Sequence, residues 1–222
     1  MKLSYLTKLK LPNNPGVYFF KKGKEILYIG KATSLRDRTK SYFSSDLIVT
    51  RGPIILDMTV VATSLEYQMT DSVLEALILE AELIKKHQPR YNTKEKDNKS
   101  FNYVCITKEE LPKVLVIRGR NVLKEVTDVK YQATYGPFTN GLQLRSAMKI
   151  IRRIFPYIDD QSSKRDNFEF YRQLGLTPDT GSVEIRTAYK KNIATLKLFL
   201  EGKKKKNVIN LRKEMLNLAK KK

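Results

Sequence analysis

The sequence predicts an α/β fold of the α+β kind: a short, mostly antiparallel sheet flanked by helices, then a small mixed unit and a helical hairpin. Three observations carry that prediction. Gly16–Phe20 and Glu25–Gly30 are two strand-like runs joined by Lys21-Lys22-Gly23-Lys24, a hairpin pattern. Residues 72–87 place Val73, Leu74, Leu77, Ile78, Ala81 and Ile84 on one helical stripe. Beyond residue 182 two further helical patterns are separated by Gly202 and a lysine run. With 222 residues, of which 41% are hydrophobic, the chain is long and apolar enough to bury a core, which excludes wholesale disorder.

The elements follow in order. The hairpin brings Tyr18 and Tyr28 near each other. Gly30 closes its second strand, and Ser34 is placed to cap a helix with Asp37 three residues later. In that helix Leu35, Arg38 and Tyr42 share a face. Residues 46–70 include a strand-like run, Leu56–Ala62. The long helix at 72–87 is stopped by Pro89. Asn102–Thr107 and Pro112–Arg118 read as strands, Tyr135-Gly136-Pro137-Phe138 as a turn, and Leu142–Phe155 as a basic amphipathic helix ended by Pro156. The segment 157–182 is polar and reads as a linker. Helices over about 183–201 and 207–220 complete the pattern. The expected organisation is therefore 1–92, 93–156, a linker at 157–182, and a helical segment at 183–222.

Charge narrows the function. Lys and Arg number 43 against 23 Asp and Glu, a net of +20, and the last 22 residues hold nine basic and two acidic groups. Such an excess points to a polyanionic partner. No run approaches the roughly 20 apolar residues of a membrane span, and the N-terminus lacks a signal-peptide pattern. The expectation is a cytoplasmic protein with no membrane role. Cys105 is the single cysteine, which excludes an internal disulfide framework.

Phosphodiester hydrolysis needs an activated water, stabilisation of phosphate charge and a grip on the strand. Tyr18, Tyr28, Lys31, Arg38, Tyr42 and Glu75 are plausible supplies. Each also has a plainer reading. The tyrosines make a cross-strand packing pair, Lys31 and Arg38 are surface charges, and Ser72-x-x-Glu75 is a capping box. His87, the single histidine, sits at the polar end of a helix, and Cys105 fits a small buried hydrophobe.

Pro15-Gly16-Val17-Tyr18, Tyr28-Ile29-Gly30-Lys31-Ala32, Leu35-x-x-Arg38 and Ser41-Tyr42-Phe43 together resemble the GIY-YIG nuclease signature. Glu75–Glu80, Leu83–Lys86, Pro89-Arg90-Tyr91-Asn92, Tyr135–Phe138 and Arg153–Pro156 extend the resemblance to the UvrC family, the nuclease component of the bacterial excinuclease of nucleotide excision repair. The resemblance implies a DNA endonuclease cutting on the 3′ side of a lesion. It implies Tyr28 as the group that activates water, aided by the cation of Lys31. Arg38 would stabilise the phosphate, Tyr18 and Tyr42 would line the site, and Glu75 would be the single carboxylate on one Mg²⁺ or Mn²⁺ ion. Asn92 matches the family's asparagine after the long helix. Leu198–Lys203 and the helix beyond resemble the start of the UVR motif, which implies the damage-loading protein UvrB, and through it UvrA, as partner.

Two departures stand out. The family's four cysteines are absent, with Asp160, Glu169, Thr177 and Gly181 roughly at their places, so no iron–sulfur cluster is expected. The family's C-terminal nuclease and helix-hairpin-helix domains are also absent. The alternative to an enzyme is a catalytically silent DNA-binding or UvrB-docking module with the same fold.

Overall fold

The computed structural model describes residues 9–94, 101–125, 131–179 and 181–202. The chain divides into two compact units, Met1–Phe101 with Gly136–Thr139, and Asn102–Tyr135 with Asn140–Lys222.

The first unit is built on three antiparallel strands, β1 (Gly16–Lys22), β2 (Glu25–Ala32) and β3 (Ser64–Met69), in the order β2-β1-β3. Gly23 takes a positive φ of 59° in the β1–β2 loop, where a side chain would be strained. A register shift after Phe20 lets Tyr28 face Phe20 while Tyr18 faces Gly30. Helices cover both faces. On one lie α1 (Leu35–Lys40), a 3₁₀ turn (Ser41–Phe43), α2 (Leu47–Arg51) and α3 (Pro53–Val61). Tyr18, Phe20, Leu35, Tyr42, Leu47, Ile55, Met58 and Leu65 pack together there. On the other face α4 (Val73–His87) sets Ala76 and Ile84 against Val17 and Ile29. The short α5 (Arg90–Lys94) packs beside β2.

One element departs from expectation. The Leu56–Ala62 run is helical through Val61, the end of α3, with Ala62 as its C-cap, and the strand lies later, at 64–69. Pro53 stands at the first helical turn, and Ile55, Met58, Thr59 and Ala62 are the buried positions. That is helical spacing, which the β-branched run conceals. Val73 of the expected stripe is 45% exposed, while Glu80 lies buried within it.

The second unit holds β4 (Asn102–Thr107), β5 (Val114–Arg118) and β6 (Tyr131–Phe138) in the order β5-β4-β6. The Tyr135–Phe138 stretch expected as a turn is the end of β6; an edge strand tolerates proline because one row of its N–H groups has no ladder partner. Cys105 is fully buried in β4. Helices α6 (Gly119–Glu125), α7 (Gly141–Ile154), α8 (Arg165–Gln173) and α9 (Val183–Leu200) complete the unit. Asn140 caps α7 by accepting from the N–H groups of Leu142 and Gln143.

The expected linker at 157–182 is structured over most of its length. Arg152, 7% exposed, gathers it: its guanidinium donates to the carbonyls of Leu176 and Tyr157, to Thr177 Oγ1, and to Asp159 Oδ2 at 2.7 Å. The same group stacks on the rings of Tyr157 and Tyr171. A polar composition thus folds around one buried cation. The first helix of the expected hairpin is α9; the second, at 207–220, lies outside the described residues. No described helix is long and apolar enough to cross a membrane.

Candidate active site

Ser34 caps α1 by accepting from the Asp37 N–H at 3.2 Å and donating to Asp37 Oδ2 at 2.7 Å. The helix so started carries Leu35 and Arg38 toward the sheet and delivers Tyr42 in the next turn. β1 brings Tyr18 to the same place. Gly30 lies opposite it in the register, and a Cβ there would run into the Tyr18 phenol. The glycine therefore exists to admit the tyrosine, a close approach no other residue permits.

Tyr18, Tyr28 and Tyr42 form one cluster. The Tyr18 ring centroid is 6.4 Å from that of Tyr28 and 5.8 Å from that of Tyr42, and Tyr28 is 6.3 Å from Tyr42. The Tyr18 and Tyr42 hydroxyls are 2.7 Å apart, and Arg38 Nε donates to the Tyr18 hydroxyl at 3.2 Å. Either hydroxyl can donate in the Tyr18–Tyr42 pair; with Tyr18 accepting from Arg38 and donating to Tyr42, both sides of the buried Tyr18 hydroxyl are satisfied. The Tyr42 O–H is then left to donate outward. Tyr18 and Tyr42 are buried, Tyr28 half-buried.

Burial sets the chemistry. Desolvation, then the neighbouring Tyr42, pushes the Tyr18 phenol well above its ordinary value; desolvation and Tyr28 do the same to Tyr42. Both stay protonated at neutral pH and act as hydrogen-bond donors. Arg38 is disfavoured as a cation by burial, but the oxygens of Tyr18 and Tyr42 outweigh this and hold it above its usual value.

Two residues not singled out from the sequence complete the picture. Arg51, at the end of α2, lies 4.3 Å from the Tyr42 ring centroid and donates from Nη2 to Ser41 Oγ at 2.8 Å. It is a second cation on the ring that Arg38 approaches at 5.8 Å. Nothing in its local sequence marks it. Glu80, 4% exposed, accepts from the Lys31 N–H at 3.0 Å and from Lys31 Nζ at 2.7 Å. Its signal was present: Glu80 interrupts the Leu77–Ala81–Ile84 stripe, and a carboxylate there requires a cation.

That pair is where the structure places the Lys31 cation. Side chains alternate along a strand, so Lys31, three residues from Tyr28, points to the opposite face of β2. It ties β2 to α4, while the cation that hydrogen-bonds within the tyrosine cluster is Arg38, on Tyr18. Asn92 is tied to β2 as well. It is buried, its Oδ1 accepts from the Ile29 N–H and its Nδ2 donates to the Ile29 carbonyl, both at 2.8 Å. It holds the backbone next to Tyr28.

Glu75 stands in the first turn of α4. Its N–H donates to Ser72 Oγ at 3.2 Å, and its Oε2 accepts from the Asp71 N–H at 2.9 Å, a capping box displaced by one residue. Among the described residues no group of three or more His, Cys, Asp or Glu side chains gathers at one point. Glu75 offers one carboxylate, which fits a hard cation such as Mg²⁺ that takes one or two carboxylates and fills its shell with water and substrate phosphate. His87 is exposed at the end of α4.

The family model for the UvrC-like GIY-YIG domain matches residues 14–93. UvrABC system protein C from Natronomonas pharaonis is 33% identical over 95% of this chain and 35% of its own length. The Alkaliphilus metalliredigens protein of the same name is 36% identical over 95% of this chain and 34% of its own length. The chain thus spans about a third of the relatives it matches. The GIY-YIG N-terminal endonuclease domain of UvrC from Thermotoga maritima, solved with magnesium as its catalytic divalent cation, is 38% identical. That likeness covers 41% of this chain and 98% of that one, with a TM-score of 0.36. Residues 14–93 are a UvrC-like GIY-YIG domain, and along 95% of its length the chain is a relative of the UvrABC system C proteins.

Proposed function

We propose that the chain is a divalent-metal-dependent DNA endonuclease of nucleotide excision repair, hydrolysing one phosphodiester on the 3′ side of a lesion within a cytoplasmic UvrABC system. The observation that carries this reading is the Arg38–Tyr18–Tyr42 hydrogen-bond chain beside the half-buried Tyr28.

In this reading Tyr28 takes the proton of the attacking water, with the positive field of Arg38 favouring its phenolate. The Tyr42 O–H, held by Tyr18, donates to a phosphate oxygen. Arg38 has N–H groups beyond Nε and meets the charge that builds on the phosphate, a kind of contact worth about 10²–10³ in rate where it has been removed from other enzymes. Arg51 adds a second donor fork on the Tyr42 side. Glu75 would hold one Mg²⁺ or Mn²⁺ ion, which when bound supplies charge neutralisation at the phosphate and leaving oxygen. Asn92 and the Lys31–Glu80 pair hold β2 so that Tyr28 is correctly aimed. DNA is the substrate, and α9 with the segment after it is the proposed UvrB contact.

The capping role of Glu75 favours the silent-module reading, and one substitution separates the two. Glutamine also serves in a capping box, so Glu75→Gln keeps the helix start while removing the charge a metal needs. Incision of a lesion-bearing duplex is measured with UvrB present, in Mg²⁺, in Mn²⁺ and in EDTA. The expected result is metal-dependent 3′ cutting that Glu75→Gln abolishes at unchanged melting temperature. Full cutting by the variant would remove Glu75 as ligand; no cutting by the unmodified chain would favour the silent module.

A further inference from the structure

The second unit has a cationic surface that the hydrolytic reading does not use. Helix α7 contains no acidic residue in 14 positions. Its Arg145, Lys149 and Arg153 recur every fourth residue and so stand on one side of the helix. All three are exposed, and none is in an ion pair with a carboxylate among the described residues. Like charges at this spacing repel and weaken a helix, so the stripe is a strain that a bound anion relieves. The three side chains wall an open groove of about 630 Å³, floored by Val114, Val116 and Met148. Arg152 also borders the groove, but its donors are spent on Asp159, Tyr157, Leu176 and Thr177. One exposed acid, Asp160, lies on the groove as well.

We propose that this groove binds the sugar–phosphate backbone of DNA, giving the second unit a strand-holding surface of its own. The occupant rests on the reading of the chain as a DNA enzyme; the site rests on the stripe. Its form favours an extended polyanion over a small one. The cations repeat about every 6 Å along the helix axis, one or two steps of phosphates that follow each other about every 3.4 Å along a strand. Among the described residues, the buried guanidinium on the groove, Arg152, is committed to protein oxygens rather than aimed at one small anion. Contacts to phosphates carry no sequence information, so binding through the stripe is indifferent to sequence. A lesion-processing enzyme that must cut in any sequence context has use for such a grip.

The test is binding of the full chain, carrying Tyr28→Phe to prevent cutting, to a labelled bubble duplex by fluorescence anisotropy across a salt series. Arg145→Gln, Lys149→Gln and Arg153→Gln are combined in one variant; Asp160→Asn is the second. The triple variant is expected to bind at least about tenfold more weakly at low salt, with the slope of log K against log salt reduced by up to about 3. Asp160→Asn, which removes the opposing charge, is expected to tighten binding two- to threefold, about the gain of one lost repulsion. The lysine-rich C-terminal segment is present in every variant and cancels. A triple variant with unchanged melting temperature and an unchanged salt slope overturns the inference alone. Absence of DNA binding by the Tyr28→Phe chain overturns both this and the nuclease reading. If polyglutamate displaces the duplex as well as unlabelled DNA of equal charge does, the occupant is an acidic protein and the inference fails.

Discussion

Each unit is organised around an arginine stacked on tyrosine, and the two arginines are used in opposite ways. Arg152 has four hydrogen bonds, to two carbonyls, a hydroxyl and a carboxylate, and its charge is matched by Asp159. Arg38 has one, from Nε to Tyr18, and no ion pair among the described residues. A saturated guanidinium is a fastener: it satisfies buried oxygens and cross-links segments far apart in sequence. An unsaturated one, held against aromatic rings with its fork unspent, is an offer to a ligand. Burial alone does not distinguish them; what remains undonated does.

The largest effect expected from this contrast is on folding. Arg152→Met removes the cation matched to Asp159 and one donor from each of three other oxygens, of which the Leu176 and Tyr157 carbonyls keep the Tyr157 N–H and the Thr177 hydroxyl, and should cost about 3 kcal/mol of stability, read from urea unfolding. Arg38→Met should invert that pattern. Cleavage should fall about 10²–10³-fold in single-turnover assays, while stability changes by about the 1 kcal/mol of one hydrogen bond. A large stability loss from Arg38→Met would erase the distinction. Alkaline unfolding compares the units more finely. Burial raises Tyr18 and Tyr42 in the first unit and Tyr157 and Tyr189 in the second, Tyr189 to about 12. A group whose folded value is raised binds its proton more firmly in the native state. Its stabilising effect is complete below about pH 10, where unfolded tyrosine titrates, and is lost as pH climbs toward the folded value. Both units should therefore weaken above about pH 10. The smallest effect is expected at Arg51. Arg51→Gln should raise KM severalfold with kcat little changed, the signature of uniform binding lost.

Much of the first unit was legible because its signals are local. Gly30, Tyr28 and Tyr18 sit on adjacent strands of one hairpin, and Ser34 starts the helix that carries Arg38 and Tyr42. Lys31 and Tyr28 belong to one contiguous motif, yet strand alternation divides them between two faces. Arg51 and Glu80 act through partners 10 and 49 residues away, which no spacing rule encodes. Helix α3 was hidden by Ile, Thr and Val, whose strand preference is weak beside burial at helical spacing. The 157–179 segment read as a linker because its composition is polar. The polarity is there to answer a single buried cation, supplied from outside the segment.

Asn92 has a further consequence. β2 is the outer strand of its sheet, so one row of its backbone groups faces away from β1. At Ile29 the side-chain amide of Asn92 offers one acceptor and one donor, as a residue of a fourth strand would. It stands in for the missing strand and denies that stretch of edge to another molecule. The edge of the sheet that carries Tyr28 is thereby blunted at Ile29, where an unpaired N–H and carbonyl would otherwise offer a template for another strand.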